Sequence, residues 1–208
     1  RLYAVAVAAG LDIPHSMLEL IELAAEDESV LPALAAAIDK APEVDESRID
    51  WLAPITNPSK ILGVAFNNKE LMKQAHVDPG VPNYFLKPPS ALQGHGKPIV
   101  LDPEWGAVIP EPEVCAIIGR RAKDVPESEI MDYVFGYAIH NDVTSHGLKF
   151  QKDSIAVTYD PDMAHAEFFK WRRLNGDDDR DVYYVYHTRS KGTDTFGPIG
   201  PWLTTADE

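Results

Sequence analysis

The sequence has one cysteine, Cys115, in 208 residues. No internal disulfide can form, and a reducing cytoplasm is the expected setting. Long hydrophobic runs are absent too. None approaches the roughly 18 residues that a bilayer-spanning helix needs, and the apolar start over 1–10 is short with no cleavage pattern after it. Positive charge is scarce: 19 Lys+Arg stand against 33 Asp+Glu, for a formal net charge of −14. That balance argues against nucleic acid and anionic membrane as partners. It leaves room for a small anionic substrate where a metal or a local basic pocket outweighs the global charge. Internal repeats, low-complexity segments and a G-x-S-x-G nucleophile elbow are also lacking. The first residue is not Met and no obvious terminal element closes 204–208, so a fragment is expected.

What is present is ordinary for a globular chain: 45% hydrophobic and 25% charged residues, enough to bury a proper core. The first fifty-odd residues read as helical. Ser16-Met17-Leu18-Glu19 forms a capping box, and Ser29 is a candidate cap for a second helix with Pro32 in its first turn. Prolines 42, 54 and 58 punctuate the stretch that follows, and a boundary is placed near residue 58. This predicts a small helical region over 1–58 and a strand-rich domain over 59–208. Candidate strands are 60–66, 84–87, 98–101, 114–118, 134–143 and 182–186. Asp124 is a candidate cap for a short helix over 126–133, and Asn175-Gly176 is a turn signal. The fold class is α+β.

The chemistry is concentrated in Ile109-Pro110-Glu111-Pro112-Glu113-Val114-Cys115-Ala116-Ile117-Ile118-Gly119. A strand alternates faces with period two, so Glu111 and Glu113 point the same way at the entrance of an apolar strand. Two such carboxylates repel unless a cation neutralises them or one is protonated. Asp142 lies inside a second apolar strand segment, where an aspartate needs a partner. Three oxygen donors without a thiolate cluster suit a hard cation, Mg²⁺ or Mn²⁺. Spacing alone leaves a solvated acidic face as the alternative.

These residues carry a resemblance. Glu111 to Gly119 resembles the E-x-E-L-A-x-V-I-G motif of the fumarylacetoacetate hydrolase family. Gly136-Tyr137-Ala138-Ile139-His140-Asn141-Asp142-Val143-Thr144-Ser145 resembles its G-Y-x-x-x-N-D-V-S-A segment. Phe85-Leu86-Lys87-Pro88-Pro89-Ser90-Ala91-Leu92 resembles F-x-K-P-x-S-A-L, and Lys191-Gly192-Thr193-Asp194-Thr195-Phe196-Gly197-Pro198-Ile199-Gly200-Pro201-Trp202 resembles K-S-F-D-T-F-x-P-L-G-P-W. The four occur in the family's order. The resemblance implies a mixed β-roll, a Mg²⁺ or Mn²⁺ site on Glu111, Glu113 and Asp142, an active-site lysine at Lys191 and a homodimer. It also implies further strands after the last residues here, so the C-terminal part of the roll is expected to be missing.

The sequence departs from the family pattern at substrate-handling positions. An H-x-x-E pair usually lies in a lid after the first strand, and an ungapped count puts Glu70 and Lys73 there. His76 is nearby and serves if the lid register differs. Glu70 is then the alternative base, although a solvated i, i+3 pair with Lys73 fits equally. The family's arginine after the metal aspartate is replaced by His146, which grips a carboxylate only when protonated. Lys87 and His146 are read as substrate-binding. His140 is read as a satisfied core histidine and Cys115 as a core thiol. The run Asp177-Asp178-Asp179-Arg180-Asp181 lacks calcium-loop spacing. Trp171, Arg172 and Arg173 shape either the pocket or a subunit contact.

The resulting expectation is a metal-dependent hydrolase or lyase acting on a 2-oxo acid. C–C cleavage of an acylpyruvate-like substrate through a stabilised enolate comes first. Dehydration, isomerisation or decarboxylation of a 2-oxo-3-deoxy sugar acid or related 2-oxo acid follows. A non-catalytic metal-binding relative is the third reading.

Overall fold

The computed structural model describes residues 2–10, 14–73, 80–158 and 181–207. Its fold class is α+β, as the sequence predicts. Three helices open it: α1 (Leu2–Ala9), α2 (Met17–Glu26) and α3 (Val30–Ala37). The capping box forms around α2. Ser16 Oγ accepts from the Glu19 amide at 3.1 Å, and Glu19 Oε2 accepts from the His15 amide at 2.5 Å. The expected Ser29 cap does not form, because Ser29 is itself helical. Its amide and hydroxyl instead donate to Asp27 Oδ1. Val5, Ala6, Leu20, Val30, Leu34, Ala37 and Ala41 make one core cluster. Ile21, on the neighbouring face of α2, joins Ala53, Ile117, Ala138 and Ile199 in a second.

The strands follow. β1 (Ile61–Ala65) pairs antiparallel with β2 (Asn83–Lys87), and Gly63 sits opposite Phe85. A Cβ at Gly63 would lie 2.0 Å from Phe85 Cζ, so the missing side chain is what lets the ring lie across β1. The short helix α4 (Lys69–Met72) follows β1. β3 (Leu92–Gln93) and β4 (Val108–Ile109) are two-residue strands. β5 (Pro112–Ile118) pairs antiparallel with β6 (Val134–Asn141). β7 (Thr144–Ser145) returns to β4. β8 (Ser154–Thr158) pairs with β9 (Asp181–Val185). The helix α5 (Thr188–Gly192) comes next, then β10 (Gly197–Pro198), parallel to β3, and β11 (Thr204–Thr205), on the free edge of β6.

Strand β6 is thus central, between β5 and β11. The described strands pair in five small sheets. Two expectations are corrected. Residues 98–101 join no ladder among the described residues, although the Val100 amide donates to Thr195 Oγ1. The helix expected over 126–133 is a 3₁₀ helix, Glu127–Tyr133, and none of its residues is buried, so no apolar face packs it into a longer α-helix. His76, Trp171, Arg172, Arg173, Asn175-Gly176 and Asp177–Arg180 of the acidic run lie outside the described residues.

Candidate functional site

The β5–β6 register builds the site. Glu113 lies directly opposite His140. Past the strand end, the Asp142 amide donates to the Glu111 carbonyl at 2.9 Å, and the Glu111 amide donates to Asn141 Oδ1 at 3.0 Å. Period-two alternation then places Glu111 and Glu113 with His140 and Asp142 on one face. Further along that face come Cys115, Ile117 and Ala138, which belong to the second core cluster or pack on it. Hydrophobic burial therefore orients the sheet, and its polar end carries the carboxylates.

Two ammonium groups close on them from elsewhere in the chain. Lys87, at the end of β2, is 3% exposed. Its Nζ lies 2.6 Å from Asp142 Oδ1 and 3.0 Å from the Phe196 carbonyl. Lys191, on α5, is 4% exposed. Its Nζ lies 2.5 Å from Asp142 Oδ2, 2.9 Å from Glu111 Oε1 and 2.6 Å from Thr144 Oγ1. The Thr144 hydroxyl in turn donates to Glu111 Oε1. Helix α5 is held by its neighbours: Arg189 Nε donates to Asp153 Oδ1 at 2.9 Å, at the end of a π-helical turn, Leu148–Lys152. Phe85 forms a wall, its ring centroid 4.9 Å from Lys191 Nζ and 5.7 Å from the His187 ring.

The electrostatics follow from this crowding. Burial pulls the Lys87 ammonium below its usual range, opposed by Asp142. Glu113 is pushed up by desolvation and then by the charges of Asp142 and Glu111. His140 is lowered to about 4, first by burial and then by Lys87. Burial also lowers Lys149 and His187, with further lowering of both by Lys191. Burial raises the Cys115 thiol, as its core position predicts.

The structure therefore brings together Glu111, Asp142, Lys191 and Lys87, with Glu113 in electrostatic reach. Among the described residues, no three of His, Cys, Asp and Glu converge on a common metal position; the Lys191 ammonium lies between Glu111 and Asp142 instead. The chemistry of the donors still fits a hard divalent cation. Three carboxylates and a threonine hydroxyl supply only oxygen, and Glu113 feels the negative charge of the other two.

Other predicted residues are placed differently. Glu70 is tied to Lys73 at 2.7 Å in an exposed pair, 76% and 69% of the side chains open to solvent. His146 stacks edge-on against Phe150, centroids 5.2 Å apart. Lys87 is engaged with Asp142. His140 is buried as expected, but neither ring nitrogen has a partner, which corrects the reading of a satisfied histidine. Glu113 faces it across the ladder, and Asp142 and Lys87 act on it by charge, yet none of them bonds the ring. Sequence reasoning missed Thr144, Phe85 and His187. Spacing had a signal for the last, since i, i+4 places His187 beside Lys191 on one helical face.

A paired-lysine carboxylate centre at the end of a β-hairpin, in an α+β frame, is the class that fold and site define. The chain belongs to the fumarylacetoacetate hydrolase family: the profile described as "Fumarylacetoacetate (FAA) hydrolase C-terminal" matches residues 60–208. An uncharacterised protein of Pyrococcus horikoshii is 35% identical over 152 residues, covering 73% of this chain and 54% of its own. The mitochondrial oxaloacetate tautomerase fahd2 of Xenopus laevis is 30% identical over 197 residues, 94% of this chain and 51% of its own. The crystal structure of maleylpyruvate hydrolase from Sphingobium sp. SYK-6, in complex with manganese(II) and pyruvate, superposes with a TM-score of 0.61 at 27% identity. It covers 98% of this chain and 60% of that one. The chain spans about half the length of the curated relatives it matches. Among the described residues, no helix is long and apolar enough to cross a membrane.

Proposed function

We propose that this chain carries the centre of a divalent-metal-dependent enzyme acting on a 2-oxo acid, with C–C cleavage of an acylpyruvate-like substrate as the reaction. The observation that carries the reading is the convergence of Glu111, Asp142 and Thr144 with the buried ammonium of Lys191. Glu111, Glu113 and Asp142 would hold a Mg²⁺ or Mn²⁺, which would supply Lewis acidity toward the carboxylate and 2-oxo oxygens of a substrate. Lys87 keeps Asp142 oriented by holding its second oxygen. Lys191 provides positive charge where the enolate oxygen develops as the C–C electron pair moves onto the leaving 2-oxo acid. Phe85 excludes water from the ammonium's open side. His146 lies two residues after Thr144 and is assigned to the substrate's far end. The manganese and pyruvate in the Sphingobium structure support both the cation and the substrate class.

Hydrolysis also needs an activated water. Of the two candidates, Glu70 is engaged with Lys73 in solvent, and His76 takes the role if its segment folds over the centre. A second reading is favoured by the same observation: keto–enol isomerisation of a 2-oxo acid needs the stabilised enolate but no attacking water. The tautomerase relative agrees with it. Dehydration of a 2-oxo-3-deoxy sugar acid passes through the same enolate. The proposed setting is the cytoplasm, in line with the lone cysteine. A homodimer is proposed too, supported by the apolar outer face of β5–β6, where Val114 and Ile139 are exposed.

The test combines oxalate binding with turnover. Oxalate presents two adjacent carboxylate oxygens, as a 2-oxo acid does. Metal-dependent oxalate binding that is lost in Glu113→Gln supports the site. Acylpyruvate turnover, against deuterium exchange at C3 of a 2-oxo acid followed by NMR, separates cleavage from isomerisation. Oxalate binding with neither reaction identifies a non-catalytic relative.

A further inference from the structure

We infer that the Lys191 ammonium and the divalent cation compete for the same oxygens, so that loading the cation and releasing the ammonium toward the substrate are one event. This rests on the metal-dependent reading above.

The contact set is the ground. An ammonium has three N–H donors and no acceptor. Lys191 Nζ has three oxygen partners: Asp142 Oδ2 at 2.5 Å, Thr144 Oγ1 at 2.6 Å and Glu111 Oε1 at 2.9 Å. Two of these belong to carboxylates assigned to the cation. A hard dication would take up lone pairs on these oxygens, and those lone pairs cannot also serve a cationic donor. A positive charge left beside the dication would add like-charge repulsion. The ammonium must therefore leave that position when the dication arrives.

The surroundings give it somewhere to go. The face of Phe85 lies 4.9 Å from Nζ, and a ring face attracts a cation. The backbone of α5 need not move: the Lys191 amide is bonded to the His187 carbonyl at 3.0 Å, and Arg189 anchors the helix to Asp153. The motion is a rotation of the lysine side chain alone. Lys87 stays in place, because it holds the other oxygen, Asp142 Oδ1, and the Phe196 carbonyl. Asp142 is thus kept in orientation while its Oδ2 changes partner. The order of binding follows: cation first, 2-oxo acid second, since only the loaded centre frees an ammonium for a substrate oxygen.

The experiment measures Mn²⁺ affinity of the full chain by the loss of the free-ion EPR signal, for wild type, Lys191→Gln and Asp142→Asn. Removing the competitor should tighten Mn²⁺ binding about tenfold, the scale of one neighbouring charge, while Asp142→Asn should abolish it. A second measurement uses wild type alone and so survives a variant that fails to fold. The Lys191 side-chain ¹³C resonance is followed during Mg²⁺ addition, and it should move and saturate with the bound cation. Equal or weaker Mn²⁺ binding by Lys191→Gln, or a Lys191 resonance that stays fixed while Mg²⁺ binds, overturns the inference and leaves the metal site standing. Absence of Mn²⁺ binding in wild type removes both.

Discussion

Lys87 and Lys191 grip opposite oxygens of Asp142, at 2.6 Å on Oδ1 and 2.5 Å on Oδ2. All three side chains are nearly inaccessible to water. One carboxylate thus serves two buried cations, with Glu111 sharing the second. Asp142→Asn would leave both ammoniums undercompensated. Breaking a buried pair from one side costs about 3–5 kcal/mol, and urea unfolding of the metal-free variant should show a loss on that scale. A change below 1 kcal/mol would mean that the lysines find other partners.

Thr144 is the hinge between Lys191 and Glu111, accepting from one and donating to the other. Thr144→Val keeps the shape and removes the hydroxyl. It should cost about 1–3 kcal/mol of stability and weaken Mn²⁺ binding, whereas Thr144→Ser should restore both. Calorimetric titration with Mn²⁺ alongside thermal unfolding of the two variants decides the matter.

His140 predicts a pH dependence. Its folded-state value is lowered from 6.5 to about 4, and the groups facing it are Lys87, Asp142 and Lys191. The unfolded chain therefore binds the extra proton between these values and the folded chain does not. The stability contribution is present in full above pH 6.5 and is lost as pH falls toward 4, amounting to roughly 3 kcal/mol. In His140→Leu, the stability of the metal-free chain should vary less across that window. An unchanged slope would show that another group controls it.

Gly147 is pressed against the Trp105 carbonyl, where a Cβ would approach to 2.2 Å. Backbone, not a flexible side chain, blocks the space. Gly147→Ala should cost about 1–3 kcal/mol and disturb His146 next to it, lowering Tm.

Glu70→Gln should be nearly silent. Its pair with Lys73 is open to solvent, where such pairs contribute about 0–1 kcal/mol. Unchanged turnover would move the search for the base to His76; loss of turnover with retained stability would place Glu70 over the centre during the reaction.

The carboxylate face was legible in the sequence because period-two spacing is local: Glu111, Glu113 and Asp142 announce themselves against apolar neighbours. What surrounds them was not. Lys191 lies 80 residues from Glu111 and Lys87 lies 55 from Asp142. Only the family resemblance, not spacing, singled these lysines out, and nothing local paired them with one carboxylate. Thr144 and Phe85 have no chemical signature until the fold sets them beside an ammonium. The stretch 98–101 carries strand-like residues, yet among the described residues no ladder reaches it. Ser29 reads as a cap, but Asp27 is placed to accept its amide first.

The β5–β6 register has a consequence for how this hairpin tolerates change. Because faces alternate, one residue gained or lost between Glu111 and Ile117 would move the acidic row to the opposite face of the sheet, away from Lys191 and Lys87, and swing Val114 inward. Exchanges at outward positions leave the row intact. The offset between Ile117 and Ile118, where the pairing already shifts, is the place where an extra residue can be absorbed without reaching the carboxylates. The hairpin acts as a ruler read from the Pro112 end, constrained in length before identity.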